Sequence, residues 1–194
     1  MKRFTTAIVV LLFGLVVPLN VGAATPSAPS IGTPLTEEMK ALFTAANDDS
    51  LVQARPLFFP EAAYVAMKRG RITNPASDYA SRLVAFYRLD LAAYYQLFHA
   101  AGQATFVGIS TRGTSAQWIS PGICENSFGY WHLGNVRLIY AVGALQKSVL
   151  VASLISYENQ WYVVHLGPNP RAQNVGTVDS PASATAPAGP GGGC

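Results

Sequence analysis

SDYASRLVAFYRLDLAAYYQLFHAAGQATFVGIS, residues Ser77–Ser110, holds the change of period that sets the fold class. Up to Gly102 the apolar side chains recur at helical steps: Ala80, Leu83, Val84, Tyr87, Leu91, Tyr94, Tyr95 and Phe98. Three- and four-residue spacing is the signature of one buried helix face. Ser77 suits an N-cap, Asp78 complements the positive end of the helix dipole, and Gly102 suits the stop. Phe86, Leu89 and Leu97 fall off the stripe, so the helix is expected to be covered on more than one side. From Ala104 the alternation becomes that of a strand.

Outward from this junction the two halves differ. Upstream, Thr36 is expected to cap a helix carrying Met39, Leu42 and Phe43, with Glu37 and Glu38 in its first turn and an end near Asn47. A short helical piece is expected over Ser50–Arg55, with irregular chain around Pro60 and another short helix after it. Downstream, ATFVGISTRG, SAQWIS, SFGYWHL, VRLIYAV, KSVLVASLISYE and WYVVHLG read as strands. The last two form a hairpin around Asn159-Gln160. Both faces of that hairpin are largely apolar. One should pack on the helices, and the other should meet a loop, a tail or a partner subunit. Helices followed by an antiparallel meander define an α+β domain over residues 36–168.

The ends have another composition. Lys2 and Arg3 precede an apolar run, Ala7–Val17, then the small residues Val21, Gly22 and Ala23. A core of about eleven apolar residues fits a signal peptide; a span of the bilayer takes roughly twenty. Residues 1–23 are therefore read as a signal peptide, with an uncleaved anchor as the alternative, and the protein as secreted or resident in the cell envelope. Residues 24–35 are expected to be a flexible linker, and 169–194, rich in Pro, Gly and small residues, a mobile tail. The chain has two cysteines, Cys124 and Cys194. In an exported chain two such residues are expected to pair. The bridge would close a loop of about 70 residues, worth up to roughly 4 kcal/mol. An intermolecular disulfide and a free thiol are the alternatives.

The formal charge of +3 falls to +1 once Lys2 and Arg3 are removed. The one basic cluster, Lys68-Arg69-Gly70-Arg71, has no aromatic interleaving and reads as a solvated turn, so nucleic acid is not an expected partner. No Gly-x-Ser-x-Gly elbow, phosphate loop or HExxH sequence occurs, and no cofactor is implied. His99, His132 and His165 have no metal-ligand spacing, so no metal is predicted.

The segments PGICENSFGYWHLGNVRLIY and ENQWYVVHLGP resemble secreted actinobacterial proteins of unassigned function. The element order over Thr36–Pro168 resembles the cystatin-like cone of ketosteroid-isomerase-like and nuclear-transport-factor-like domains. That resemblance implies a pocket between helices and a curved sheet. Candidate pocket residues are Tyr87, Asp90, Tyr94, Tyr130 and His132. The expected role is non-catalytic binding of a small apolar ligand or an envelope partner. One alternative is an isomerase- or dehydratase-like enzyme using Asp90 with Tyr130 or His132 as proton donors. Asp90 could instead be a helix carboxylate paired with Arg82 or Arg88. The other alternative is a structural protein that dimerises through its sheet.

Overall fold

Gly32, not Thr36, opens the first helix. Pro34 sits in its first turn, where a missing N–H is tolerated, and Thr36 Oγ1 hydrogen-bonds back to the Gly32 carbonyl. The computed structural model describes residues 25–169 and 171–187. The expected signal peptide and Cys194 lie outside the described residues.

The amino-terminal layer is helical. Helix α1 spans Thr33–Asn47 and buries Leu35, Met39, Leu42 and Phe43. Helix α2, Leu51–Ala54, is capped by Ser50 and runs into a 3-10 turn, Arg55–Leu57. Helix α3 covers Glu61–Lys68. Three segments then run on as one long helix: α4 (Pro75–Asp78), a π-helical stretch (Tyr79–Val84) and α5 (Ala85–His99). Its cap is Asn74, whose side chain accepts from the Ser77 amide, so the expected cap residue is the one being capped.

Six antiparallel strands form a curved, unclosed sheet. They are β1 (Ala104–Ser110), β2 (Gln117–Ile119), β3 (Tyr130–Val142), β4 (Leu145–Tyr157), β5 (Gln160–His165) and β6 (Ala182–Ser183). The order is β1-β3-β4-β5, with β2 on the β1 side of β3 and β6 on the β5 side of β4. The two strands expected over SFGYWHL and VRLIYAV are one, because β3 stays paired with β4 from His132↔Ile155 to Val142↔Leu145 without a shift. The β4–β5 turn falls at Glu158-Asn159, with φ of 48° and 62°, so Tyr157 meets Gln160. Positive φ at both central residues is what a tight two-residue hairpin needs, and Asn adopts it more readily than Gln.

The core lies between the helices and one face of the sheet. Phe98 packs against Phe43 (4.7 Å between centroids) and Tyr140 (5.1 Å), tying α5 to α1 and β3. The buried hydroxyls of the long helix are all committed to carbonyls: Tyr79 to Phe59 (2.6 Å), Tyr87 to Ala54 (3.0 Å) and Tyr94 to Leu150 (2.5 Å). Burial of a phenol without a partner would be costly.

The described residues of both expected flexible segments pack. Trp131 Nε1 donates to the Pro26 carbonyl (2.9 Å) and Trp161 Nε1 to that of Ser30 (3.1 Å), laying the linker against the sheet. Residues 171–187 form a strap. Gly176 lies directly on the Leu89 backbone, β6 pairs with β4 at Lys147 and Ser148, and Arg137 Nε donates to the Pro187 carbonyl (2.6 Å). Such contacts are made by single residues and backbone groups, and neither type leaves a periodic trace in sequence.

Candidate functional site

A cavity of about 600 Å³ opens between the helices and the β2–β5 end of the sheet. Its size is ordinary for a small-molecule site. One wall is built from Phe58 and Phe59, in the chain just before α3, and from Met67, Tyr79 and Leu83 of the helices. Its sheet wall carries Tyr130 and His132 from β3, Ser153 and Ile155 from β4, and Val164 and His165 from β5. Most of this lining is apolar and aromatic.

The π-helical stretch shapes one side. Tyr79, Arg82 and Leu83 all lie in it and all line the cavity. A π turn inserts an extra residue and rotates the helix beyond it, and such turns are frequent at functional sites. Arg82 is held by Asp78 through Nε (2.7 Å) and Nη2 (2.6 Å), and Nη2 also reaches the Tyr64 hydroxyl (3.2 Å). Tyr64 in turn donates to Asp78.

A tight loop forms the rim opposite. Gly122, Cys124 and Glu125 have φ of 90°, 57° and 55°. For the two non-glycine residues this is a conformation the surroundings must enforce. Lys68 Nζ donates to the Cys124 carbonyl (2.6 Å), and the Ser127 amide donates to that of Met67 (2.8 Å), fastening the loop to the end of α3. Lys68 is thus a rim residue of the cavity and not part of a solvated basic turn. Burial pulls its pKa below the usual lysine value.

Polar groups cross the sheet wall in a row. His132 Nε2 lies 2.9 Å from Ser153 Oγ, and Ser153 is the cross-strand partner of His165. Burial holds the His132 pKa below the ordinary imidazole value. His165 is pulled down to about 4, first by burial and then by the charge of Arg82. Both rings are therefore neutral near pH 7, and His165 is a poor general base there.

Of the five pocket residues expected from sequence, Tyr130 and His132 line the cavity, and Tyr87, Asp90 and Tyr94 do not. Tyr87 and Tyr94 are core residues with their hydroxyls committed as described above. Asp90 is a correction with a specific cause. Its carboxylate is gripped by Arg171 through Nη1 and Nη2 (2.5 Å each) and accepts from the Gly167 amide (3.0 Å) and the Thr177 amide (2.8 Å). Its partner is an arginine of the strap, neither Arg82 nor Arg88. Sequence reasoning missed Lys68, Arg82, Ser153 and His165 as cavity residues. Only His165 carried a signal, as a polar residue within a strand otherwise apolar.

Among the described residues no group of three or more His, Cys, Asp or Glu could hold a metal ion. No helix among them is long and apolar enough to cross a membrane. Comparison of the chain with protein-family models, curated protein sequences and solved structures finds no match.

Proposed function

We propose that this chain is an exported binding domain whose cavity takes a small, mainly apolar ligand. The carrying observation is the cavity itself: about 600 Å³, walled largely by aromatic and aliphatic side chains, with polar groups at the π stretch, the rim loop and the sheet wall. That combination is what ligand pockets commonly present. The cystatin-like resemblance belongs to the same proposal, since helices laid on a curved antiparallel sheet with a pocket between them suit it. The enzyme reading that used Asp90 is weakened by the full engagement of that carboxylate beneath the strap. Without it the cavity still carries His132, His165, three tyrosines, Lys68, Arg82 and Glu125; the charged groups sit at the rim and on the π stretch, and His165 is a poor general base at neutral pH.

The test is direct binding. Calorimetric titration with ten-carbon amphiphiles should give saturable one-to-one binding. Ile119→Trp, which places bulk in the cavity, should weaken it at least tenfold. Absence of binding by every such compound, or binding indifferent to Ile119→Trp, would refute the proposal.

A further inference from the structure

We propose that the cavity is built for an organic monocarboxylate, an apolar tail ending in an acid group, with the acid seated at His165. This rests on the binding reading above and goes further by naming the ligand class. Four observations converge on it.

His165 lines the cavity, and among the described residues no hydrogen bond joins either of its ring nitrogens to the protein. By contrast, His99 uses Nδ1 on the Tyr95 carbonyl (2.9 Å) and His132 uses Nε2 on Ser153. A half-buried imidazole facing a cavity with both nitrogens unengaged is a polar group held ready for an incoming partner.

The charges around the cavity favour an anion. Lys68 and Arg82 line it, and Glu125 on the rim loop is the one carboxylate in the lining. Arg82 commits Nε and Nη2 to Asp78, and Nη1 has no hydrogen-bond partner among the described residues. A carboxylate accepts from imidazole and guanidinium N–H groups, and charge-assisted bonds of this kind are roughly twice as strong as neutral ones.

The groups facing His165 come from every side: Arg82 from the π stretch, His132 from β3, Asp90 from α5 and Arg171 from the strap. Asp90 and Arg171 neutralise each other in their ion pair, which leaves Arg82 as the dominant charge. A neutral His165 therefore sits in a positive field, and an arriving carboxylate would oppose that field. Binding would draw a proton onto His165, forming an imidazolium–carboxylate pair, and would be coupled to proton uptake.

Part of the remaining lining explains the tail: Phe58, Phe59, Met67, Leu83, Ile119 and Ile155 offer no hydrogen-bonding side chain, so an apolar chain can be buried against them.

The experiment compares decanoate, decanol and decyltrimethylammonium as probes by calorimetry at pH 6.0 and 7.5. Decanoate should bind about tenfold tighter than decanol at pH 6.0, a difference near 1.4 kcal/mol. It should weaken as the pH rises to 7.5, while decanol stays constant and the cation binds least. In buffers of different ionisation enthalpy the decanoate heat should reveal proton uptake. His165→Ala should abolish the preference for decanoate and its pH dependence, leaving decanol within about twofold. His132→Ala should lower affinity for both probes without removing the preference. Equal binding of decanoate and decanol, or a preference that survives His165→Ala, would overturn the acid assignment and leave the apolar binding site standing. Failure of all three probes would overturn both.

Discussion

The ion pair between Asp90 and Arg171 is the strongest single fastening of the strap, and breaking it should loosen the protein measurably. The side chains are 1% and 3% exposed. Arg171 also donates to the Val175 carbonyl (2.5 Å) and lies 4.5 Å from the Phe86 ring centroid. Asp90→Asn keeps the shape, removes the charge and strands a buried guanidinium. Removing one partner of a buried pair costs about 3–5 kcal/mol. Because Val175 and Phe86 still hold Arg171, we expect the low end, about 3 kcal/mol. With a urea m-value of roughly 2 kcal/mol/M, the unfolding midpoint should fall by about 1.5 M. Arg171→Met should do the same. Asp90→Leu combined with Arg171→Met should be more stable than either single change, since well-packed apolar replacements of a buried pair are often neutral. Limited proteolysis should cut residues 171–187 early in the single variants and late in the wild type. Binding in the cavity should persist in folded Asp90→Asn. Losses under about 1 kcal/mol in both single variants, or simple additivity in the double, would refute the strap argument.

Other outcomes are set by local geometry. Gly176→Ala would drive a Cβ into the Leu89 carbonyl, so the strap must lift; a loss of about 1–3 kcal/mol and early cleavage of residues 171–187 are expected. Glu38, half-buried on α1, has its pKa raised by burial from 4.5 to about 7. A raised carboxylate favours the folded state at low pH, so its contribution is complete below about pH 4.5 and is lost as pH rises through 7; Glu38→Gln should therefore stabilise the protein at pH 8, by about 1 kcal/mol after allowance for solvent screening, and leave it unchanged at pH 4. The proposed Cys124–Cys194 bridge should appear as one cross-linked peptide in non-reducing mapping of the purified protein, and two free thiols or a reducible dimer would refute it.

How much was legible differs by element. The helix-to-strand switch at Gly102 was, because burial of one face imposes a period of 3.6 on a helix and of 2 on a strand. The α+β class came with it, along with the short helical piece over Ser50–Arg55 and α3 after Pro60. Tyr130 and His132 were legible as pocket candidates because they stand on a strand next to aromatic neighbours. Asp90 was read as polar among apolar residues, which is correct; its partner lies 81 positions away, at Arg171, and no local pattern reports such a pairing. The strap and the linker were read as loose because they lack period. Their order comes from contacts of another kind: tryptophan N–H groups on linker carbonyls, a glycine against a helix backbone, and one buried arginine.

By itself the sequence determined where the chain changes from helices to strands, and that a core large enough for one domain exists, since these depend on the near-neighbour spacing of apolar residues. Only the tertiary structure decided where the cavity lies, that Lys68, Arg82, Ser153 and His165 line it, and that Asp90 does not. Those four residues come from α3, the π stretch, β4 and β5. They meet because sheet pairing and helix packing bring distant chain segments together, and burial then lowers the pKa values of Lys68 and His165. Both effects arise only when the chain is folded.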